Sequence, residues 1–262
     1  MSQPWVVHAV LGAVERLPGY PDLAVLDLSC GEGEILASLD RAGCRCRGTH
    51  YRDDDYVVSQ PREVLQRVPV DKGIDLAQPL PYADGSFDVV IMSEVLEHLP
   101  THWTVVREVG RVLRAGGYFV FTTPNVHRVH SRWHFFLSGT HKLIHRPVGW
   151  DLQPDDLYAF HTNPVDLPLM HTLLYQSGLR VTRLGFTKFK RRHACWLLLY
   201  PVFWLGARIA MRGRRKEPAA YGEGRRDLFR WMVHPAVLTS EQLLVVARRQ
   251  RDGASAASAC PS

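Results

Sequence analysis

The segment Val25-Leu-Asp-Leu-Ser-Cys-Gly-Glu-Gly-Glu34 constrains what this chain can fold into more than any other. The apolar run Leu23 to Leu28 reads as a strand buried on both faces. Gly31 and Gly33 follow, and the apolar spacing from Glu34 to Arg41 reads as a helix. A strand that feeds a helix through glycines belongs to a parallel sheet, because parallel neighbours need a crossover. The glycines let a ligand approach the backbone where a Cβ would clash, and the helix start offers unpaired N–H groups. A plain strand-to-helix turn has the same local pattern.

The alternation continues along the chain. Apolar periodicity predicts a helix over 4–17, a more polar strand over 44–51, a helical stretch over 61–68, a buried strand over 87–92 and a helix over 93–113. Gly116 and Gly117 then turn into a strand over 118–122. A helix over 164–176, a strand over 179–186 and a last strand over 242–249 complete the series. The expected class is α/β: a Rossmann-like, doubly wound, seven-stranded sheet, mostly parallel, with helices on both faces. The expected organisation is a body over 1–187, a basic, apolar helical insertion over 188–240 and a final strand over 241–251 that returns to the sheet. A small-residue polar end over 252–262 reads as disordered.

Two details narrow the ligand. A dinucleotide loop wants a small residue three positions after its second glycine, and Leu36 stands there. Asp27, on the strand before the loop, would repel a pyrophosphate and suits a cationic amine. A nicotinamide-dependent oxidoreductase is thus the less favoured alternative.

Here the sequence resembles a family. VLDLSCGEGE is similar to the first motif of the class I S-adenosylmethionine-dependent methyltransferases, in their small-molecule and quinone-biosynthesis branch. Residues 75–90 (DLAQPLPYADGSFDVV) resemble the segment leading into the fourth strand, and 93–99 (SEVLEHL) the segment after it. Residues 108–125 (EVGRVLRAGGYFVFTTPN) resemble the helix, Gly-Gly turn and fifth strand, and His161-Thr-Asn-Pro164 a later motif. The resemblance implies S-adenosyl-L-methionine as cofactor. It places Gly31 and Gly33 beneath the methionine part, Asp27 near its amino group, Asp75 and the Leu76 N–H at the adenine, and Ser93 or Glu94 near the sulfonium.

The sequence departs from the family at two positions. Ser29 replaces the first loop glycine, which is tolerable only if that backbone avoids positive φ. His50 stands where an acidic residue would hold both ribose hydroxyls, and an imidazole offers one acceptor. Asp53, Asp54 or Asp55 are substitutes for that role. These departures motivate a second alternative, a non-catalytic binding module on the same fold.

Methyl transfer from a sulfonium is an in-line displacement, and a hydroxyl acceptor gains from a general base. Glu94, Glu97 and His98 have i, i+3, i+4 spacing and read either as an exposed helix start or as a base or metal site. Nine of the thirteen histidines lie between 98 and 171. His130 and His134 have zinc-compatible spacing if helical, but no flanking Cys pair supports a structural zinc, and no metal is expected. The stretch with Arg128, Arg132, Trp133 and Phe136 reads as a lid over an acceptor pocket. His98, Glu94, His127, His130 and His161 are the base candidates. The sequence has neither an Asn/Asp-Pro-Pro-Tyr nor a Pro-Cys motif, which favours a small-molecule hydroxyl or carboxyl over a nucleobase or protein amide.

The formal net charge of +6 is unevenly spread. Residues 1–187 hold 17 Lys and Arg against 21 Asp and Glu, a net −4. Residues 188–262 hold 15 against 5, a net +10. In that tail the cations flank an apolar run, 194–207, with aromatics inside it. It reads as a helix pair packed on the body or as an interfacial anchor with Trp196, Tyr200 and Trp204 at headgroup level. Nucleic-acid binding, which interleaves aromatics with charges along a groove, is not expected. A small or lipid-linked substrate and a peripheral membrane surface are the expected partners. Five irregularly spaced cysteines and a start without a secretory pattern point to the cytoplasm.

Overall fold

The computed structural model describes residues 3–51, 67–141, 161, 163–188, 195, 198–212 and 221–250. Its sheet has seven strands: β1 (Ala24–Asp27), β2 (Arg45–Thr49), β3 (Val70–Asp71), β4 (Phe87–Ser93), β5 (Leu113–Pro124), β6 (Leu179–Phe186) and β7 (Gln242–Arg249). Their spatial order is β3-β2-β1-β4-β5-β7-β6. The first five are parallel, and β7 lies antiparallel between β5 and β6. The expected Rossmann-like, mostly parallel sheet is therefore present. The order reverses between β1 and β4, where Asp27 is level with Ile91. In such sheets the crevice beyond the carboxyl ends at the reversal is where ligands bind.

Eight helices connect these strands among the described residues: α1 (Pro4–Val14), α2 (Glu34–Ala42), α3 (Trp103–Val112), α4 (Val129–Ser138), α5 (Leu167–Gln176), α6 (Tyr200–Ala210), α7 (Tyr221–Met232) and α8 (Pro235–Thr239). One face of the sheet packs Val6, Val10, Val14, Ile35 and Leu39 against Val25, Val89 and Ile91. The other packs Val105, Val109, Met170 and Leu174 against Leu26, Val90, Phe119 and Phe121. Burying each large side chain contributes about 1.5–3 kcal/mol, which fixes the register of β1 against β4.

The helix expected over 93–113 is corrected. Ser93 ends β4, Leu96–His98 form a single 3-10 turn, and α3 begins only at Trp103. Pro100 is the cause: it has no N–H to donate, and it forces the preceding residue out of the helical region. Leu99 accordingly has φ −82° and ψ 140°. The expected helix over 61–68 lies mostly outside the described residues, as do Asp53, Asp54, Asp55, His145, Trp196 and the 252–262 end.

The expected insertion divides into two parts. Trp231, Ala236 and Val237, at the end of α7 and in α8, belong to the main core. Asn125 ties this part down: its Nδ2 donates to the carbonyls of Val237 (2.9 Å) and Ser240 (3.0 Å), and its Oδ1 accepts from the His127 N–H (3.0 Å). By contrast, α6 has no buried residue.

Candidate active site

At the sheet reversal a cavity of about 430 Å³ opens. Asp27, Ser29, Gly31 and Glu34 line it from the β1–α2 side, Ser93, Glu94 and His98 from the end of β4. His161, Gln3, Val7 and Gln242 complete the wall. The size falls in the range of small-ligand sites.

The loop takes its shape from backbone chemistry. Ser29, Gly31 and Gly33 have φ of 62°, 55° and 74°. Gly33 is the N-cap of α2, so the orphan N–H groups of that helix face the loop. A Cβ on Gly31 would meet no protein atom within 4 Å and would stand in the open side of the loop, the cradle a ligand needs. Ser29 contradicts the sequence expectation that it avoids positive φ. It holds the left-handed conformation at a cost of roughly 1 kcal/mol, with its N–H donated to Thr49 Oγ1 at 2.9 Å. Beneath the loop, a Cβ on Gly48 would come within 2.7 Å of Leu36 and 2.9 Å of Cys30 Sγ. This close approach gives Gly48 the role that a third loop glycine plays in a dinucleotide fold.

Asp27 is 2 % exposed, and burial pushes its carboxyl up to about 8. A carboxyl in that state is poised to ionise against an incoming ammonium group. Burial and the neighbouring Asp27 push the Cys30 thiol up to about 12, which leaves it unreactive.

On the β4 side, Glu94 turns sharply, with φ 56°, and its N–H donates to Thr122 O and Thr122 Oγ1, both at 3.2 Å. Its Oε1 is buried without a hydrogen-bond partner, and burial pushes the carboxyl up to about 7. Glu97 is fully buried, which removes the exposed-helix-start reading for it. Its Oε2 accepts from Thr123 Oγ1 at 3.3 Å, while burial and the charge of Glu94 hold it well above the ordinary carboxylate range. Each of the two carboxyls disfavours ionisation of the other.

The rings of His98 and His161 meet edge to face at 4.9 Å. Asn163 brings them together. Its N–H donates to Glu97 O at 3.0 Å and its Nδ2 to Leu99 O at 3.1 Å, which pins the His161 segment onto the 3-10 turn. Glu97, His98 and His161 have donor atoms within 4.8 Å of one another, the only such group of three His, Cys, Asp or Glu residues among the described residues; the zinc spacing of His130 and His134 assembles no comparable group.

Other sequence candidates stand apart from this cavity. His127 is corrected to a structural position. Its Nε2 accepts from the Leu167 N–H at 3.1 Å, and burial holds the ring down at about 4. The expected lid is α4, but none of its residues lines the cavity, and Trp133 and Phe136 face solvent. His50, at the end of β2, and Asp75, after β3, sit on the same sheet edge as the cavity but outside its lining. The Asp75 Oδ1 accepts from the Ala77 N–H at 2.9 Å, and the Leu76 side chain is in the core. Gln3, Val7 and Gln242 were not foreseen. They reach the cavity because α1 and the start of β7 close over it, joined by the Trp5 Nε1 to Gln242 Oε1 bond at 3.3 Å.

The fit to S-adenosyl-L-methionine rests on these groups: an open glycine cradle, a helix N-terminus, and a buried carboxyl without a cationic partner among the described residues. Comparison with known proteins agrees. Residues 26–121 match a methyltransferase domain. A ubiquinone biosynthesis O-methyltransferase of Chromobacterium violaceum is 31% identical over 119 residues, 44% of this chain and 50% of that protein. A 27-O-demethylrifamycin SV methyltransferase of Amycolatopsis mediterranei is 35% identical over 118 residues, 42% and 43% of the two chains. The chain thus spans about half the length of these relatives or less. The structure of an S-adenosylmethionine-dependent methyltransferase from Mesorhizobium loti shares the fold, with a TM-score of 0.52 at 19% identity over 93% of this chain and 98% of that one. In its sheet order, its glycine loop at the reversal and the methyltransferase domain matched over residues 26–121, this chain is similar to the class I S-adenosylmethionine-dependent methyltransferases.

Proposed function

We propose that the chain transfers the methyl group of S-adenosyl-L-methionine to an oxygen of a small or lipid-linked acceptor on the cytoplasmic side of the cell. One observation carries the choice of oxygen: the buried Glu94 carboxyl in the cavity wall, held near 7 with one oxygen unpartnered. A general base works best with a pKa near the working pH, and a hydroxyl acceptor has a proton to lose.

The cofactor supplies an electrophilic methyl carbon with a neutral thioether as leaving group. Asp27 would hold the cofactor's ammonium, Gly31 and Gly33 would let the backbone approach its methionine portion, and Ser93 would face it from the end of β4. His50, Asp75 and the Leu76 N–H lie on the same sheet edge but outside the cavity lining, and are the groups that the family resemblance would put to the ribose and adenine. Glu94 would take the acceptor's hydroxyl proton, freeing that oxygen for the methyl group the cofactor would supply. Burial holds the Glu97 carboxyl further above the ordinary carboxylate range than that of Glu94, so Glu94 is the one placed to act as base. His98 and His161, in the same cavity wall, would orient the acceptor.

The test is a labelled-methyl screen over hydroxylated aromatic, polyketide and prenylated acceptors. Label on an oxygen that depends on Glu94 supports the reading. Label on nitrogen or carbon, or no transfer by a chain that binds the cofactor, overturns it.

A further inference from the structure

We propose that α4 and α6 together form a docking surface for an anionic phospholipid bilayer. No helix among the described residues is long and apolar enough to cross a membrane. The 11 residues of α6 span about 16 Å, roughly half a bilayer core, so the surface lies on the membrane and not through it.

The outward composition of the two helices is the first ground. Tyr200, Phe203, Ala207 and Met211 of the α6 region recur at helical spacing and are half-buried against the body. The remaining positions face solvent, and they include Val202, Trp204, Leu205 and Ile209; just ahead of the helix Leu198 is 83 % exposed. On α4, Trp133, Phe135, Phe136 and Leu137 are exposed, Phe136 to 78 %. A water-facing helix would carry polar residues there. The second ground is continuity. The Arg132 guanidinium of α4 lies over the Phe203 ring of α6 at 5.4 Å, and Trp133 stacks on Phe136 at 5.7 Å. Two apolar faces so joined exceed the scattered exposure normal for a monomer.

Charge selects the occupant. Residues 188–216 contain nine Lys and Arg and no Asp or Glu, and residues 126–141, which include α4, contain no acid either. Arg208 and Arg212 are exposed within the described part. A bilayer with anionic headgroups complements both features: apolar side chains enter the interface while cations meet lipid phosphates. A second copy of this chain would set the same cations against each other. Because α4 follows β5, the surface is at the sheet edge that carries the cavity. The proposal does not depend on which acceptor is methylated.

The experiment is co-sedimentation of the full chain with vesicles of phosphatidylcholine alone or with a quarter phosphatidylglycerol, at low and high salt. The expected result is at least 10-fold tighter partitioning onto the anionic vesicles, weakened by salt. Leu205→Glu and Phe136→Glu each reduce it 10-fold or more, while S-adenosylhomocysteine affinity, measured by calorimetry, stays unchanged and reports folding. Arg208→Glu with Arg212→Glu removes the lipid selectivity. Equal partitioning onto both vesicle types overturns the proposal. So does a self-associated chain that Phe136→Glu dissociates and that does not bind vesicles. Loss of methyl transfer with vesicle binding intact would count against the proposed reaction and leave the docking surface standing.

Discussion

The imidazole of His161 stands edge-on to that of His98, with ring centroids 4.9 Å apart, and the Asn163 N–H bond to Glu97 O holds the two segments in that relation. The His98–His161 wall of the cavity is therefore built from two stretches of chain that meet only in the folded protein. Asn163→Ala keeps that backbone bond but removes the side-chain bond from Nδ2 to Leu99 O. It is expected to raise KM for the acceptor about 10-fold while cofactor affinity stays within 2-fold, since a misplacement of even 1 Å costs about 10²-fold. Steady-state kinetics alongside calorimetry separates the two; an equal loss of both would show a general structural defect.

Glu94 sets the pH dependence. Its carboxyl is held near 7, so the basic form grows as pH rises through that value, and kcat should climb from pH 6 to pH 8. Glu94→Gln removes the base and should lower kcat by about 10²-fold and flatten that limb. A Gln variant that keeps the wild-type pH profile would refute the assignment.

Asp27 couples cofactor binding to protons. In the empty site it is protonated below about 8, and an ammonium partner favours the ionised form. Binding below pH 8 should release a proton and tighten as pH rises toward 8. Calorimetry in two buffers of different ionisation enthalpy counts that proton. The stability sign is the reverse. Because the folded pKa lies above the unfolded one, the unliganded protein loses stability as pH rises from about 4 to about 8. Asp27→Asn should therefore raise Tm of the unliganded protein at pH 8 and abolish binding.

Ser29 holds a left-handed backbone without glycine's freedom. Ser29→Gly should stabilise the fold by about 0.5–1 kcal/mol, which for a chain of this size raises Tm by roughly 2 °C. Gly31→Val at φ 55° should act oppositely and fill the cradle, losing cofactor affinity outright. Differential scanning calorimetry of the pair checks both directions.

The sheet was legible because its strands are short apolar runs between glycine and polar turns. β6 and β7 lie where periodicity puts them, and Asp27 precedes the loop as expected. The two-residue β3 is too short to carry a period, and α4 has aromatic and histidine residues on all sides with no apolar stripe. Local propensity extended the helix after β4 back to Ser93, whereas Pro100 and the burial of Leu96 and Leu99 impose a turn.

The sequence by itself determined the α/β sheet, the glycine loop with its carboxylate, and the separation of an acidic body from a basic, apolar segment, because each is written in residues near one another in the chain. Only the tertiary structure decided that Glu97 is buried beside Glu94, that His127 is structural while His161 reaches the cavity, and that α6 joins α4 in one exposed surface. Burial, partner choice and the pKa shifts that follow depend on which distant segments pack together, and local periodicity does not encode them.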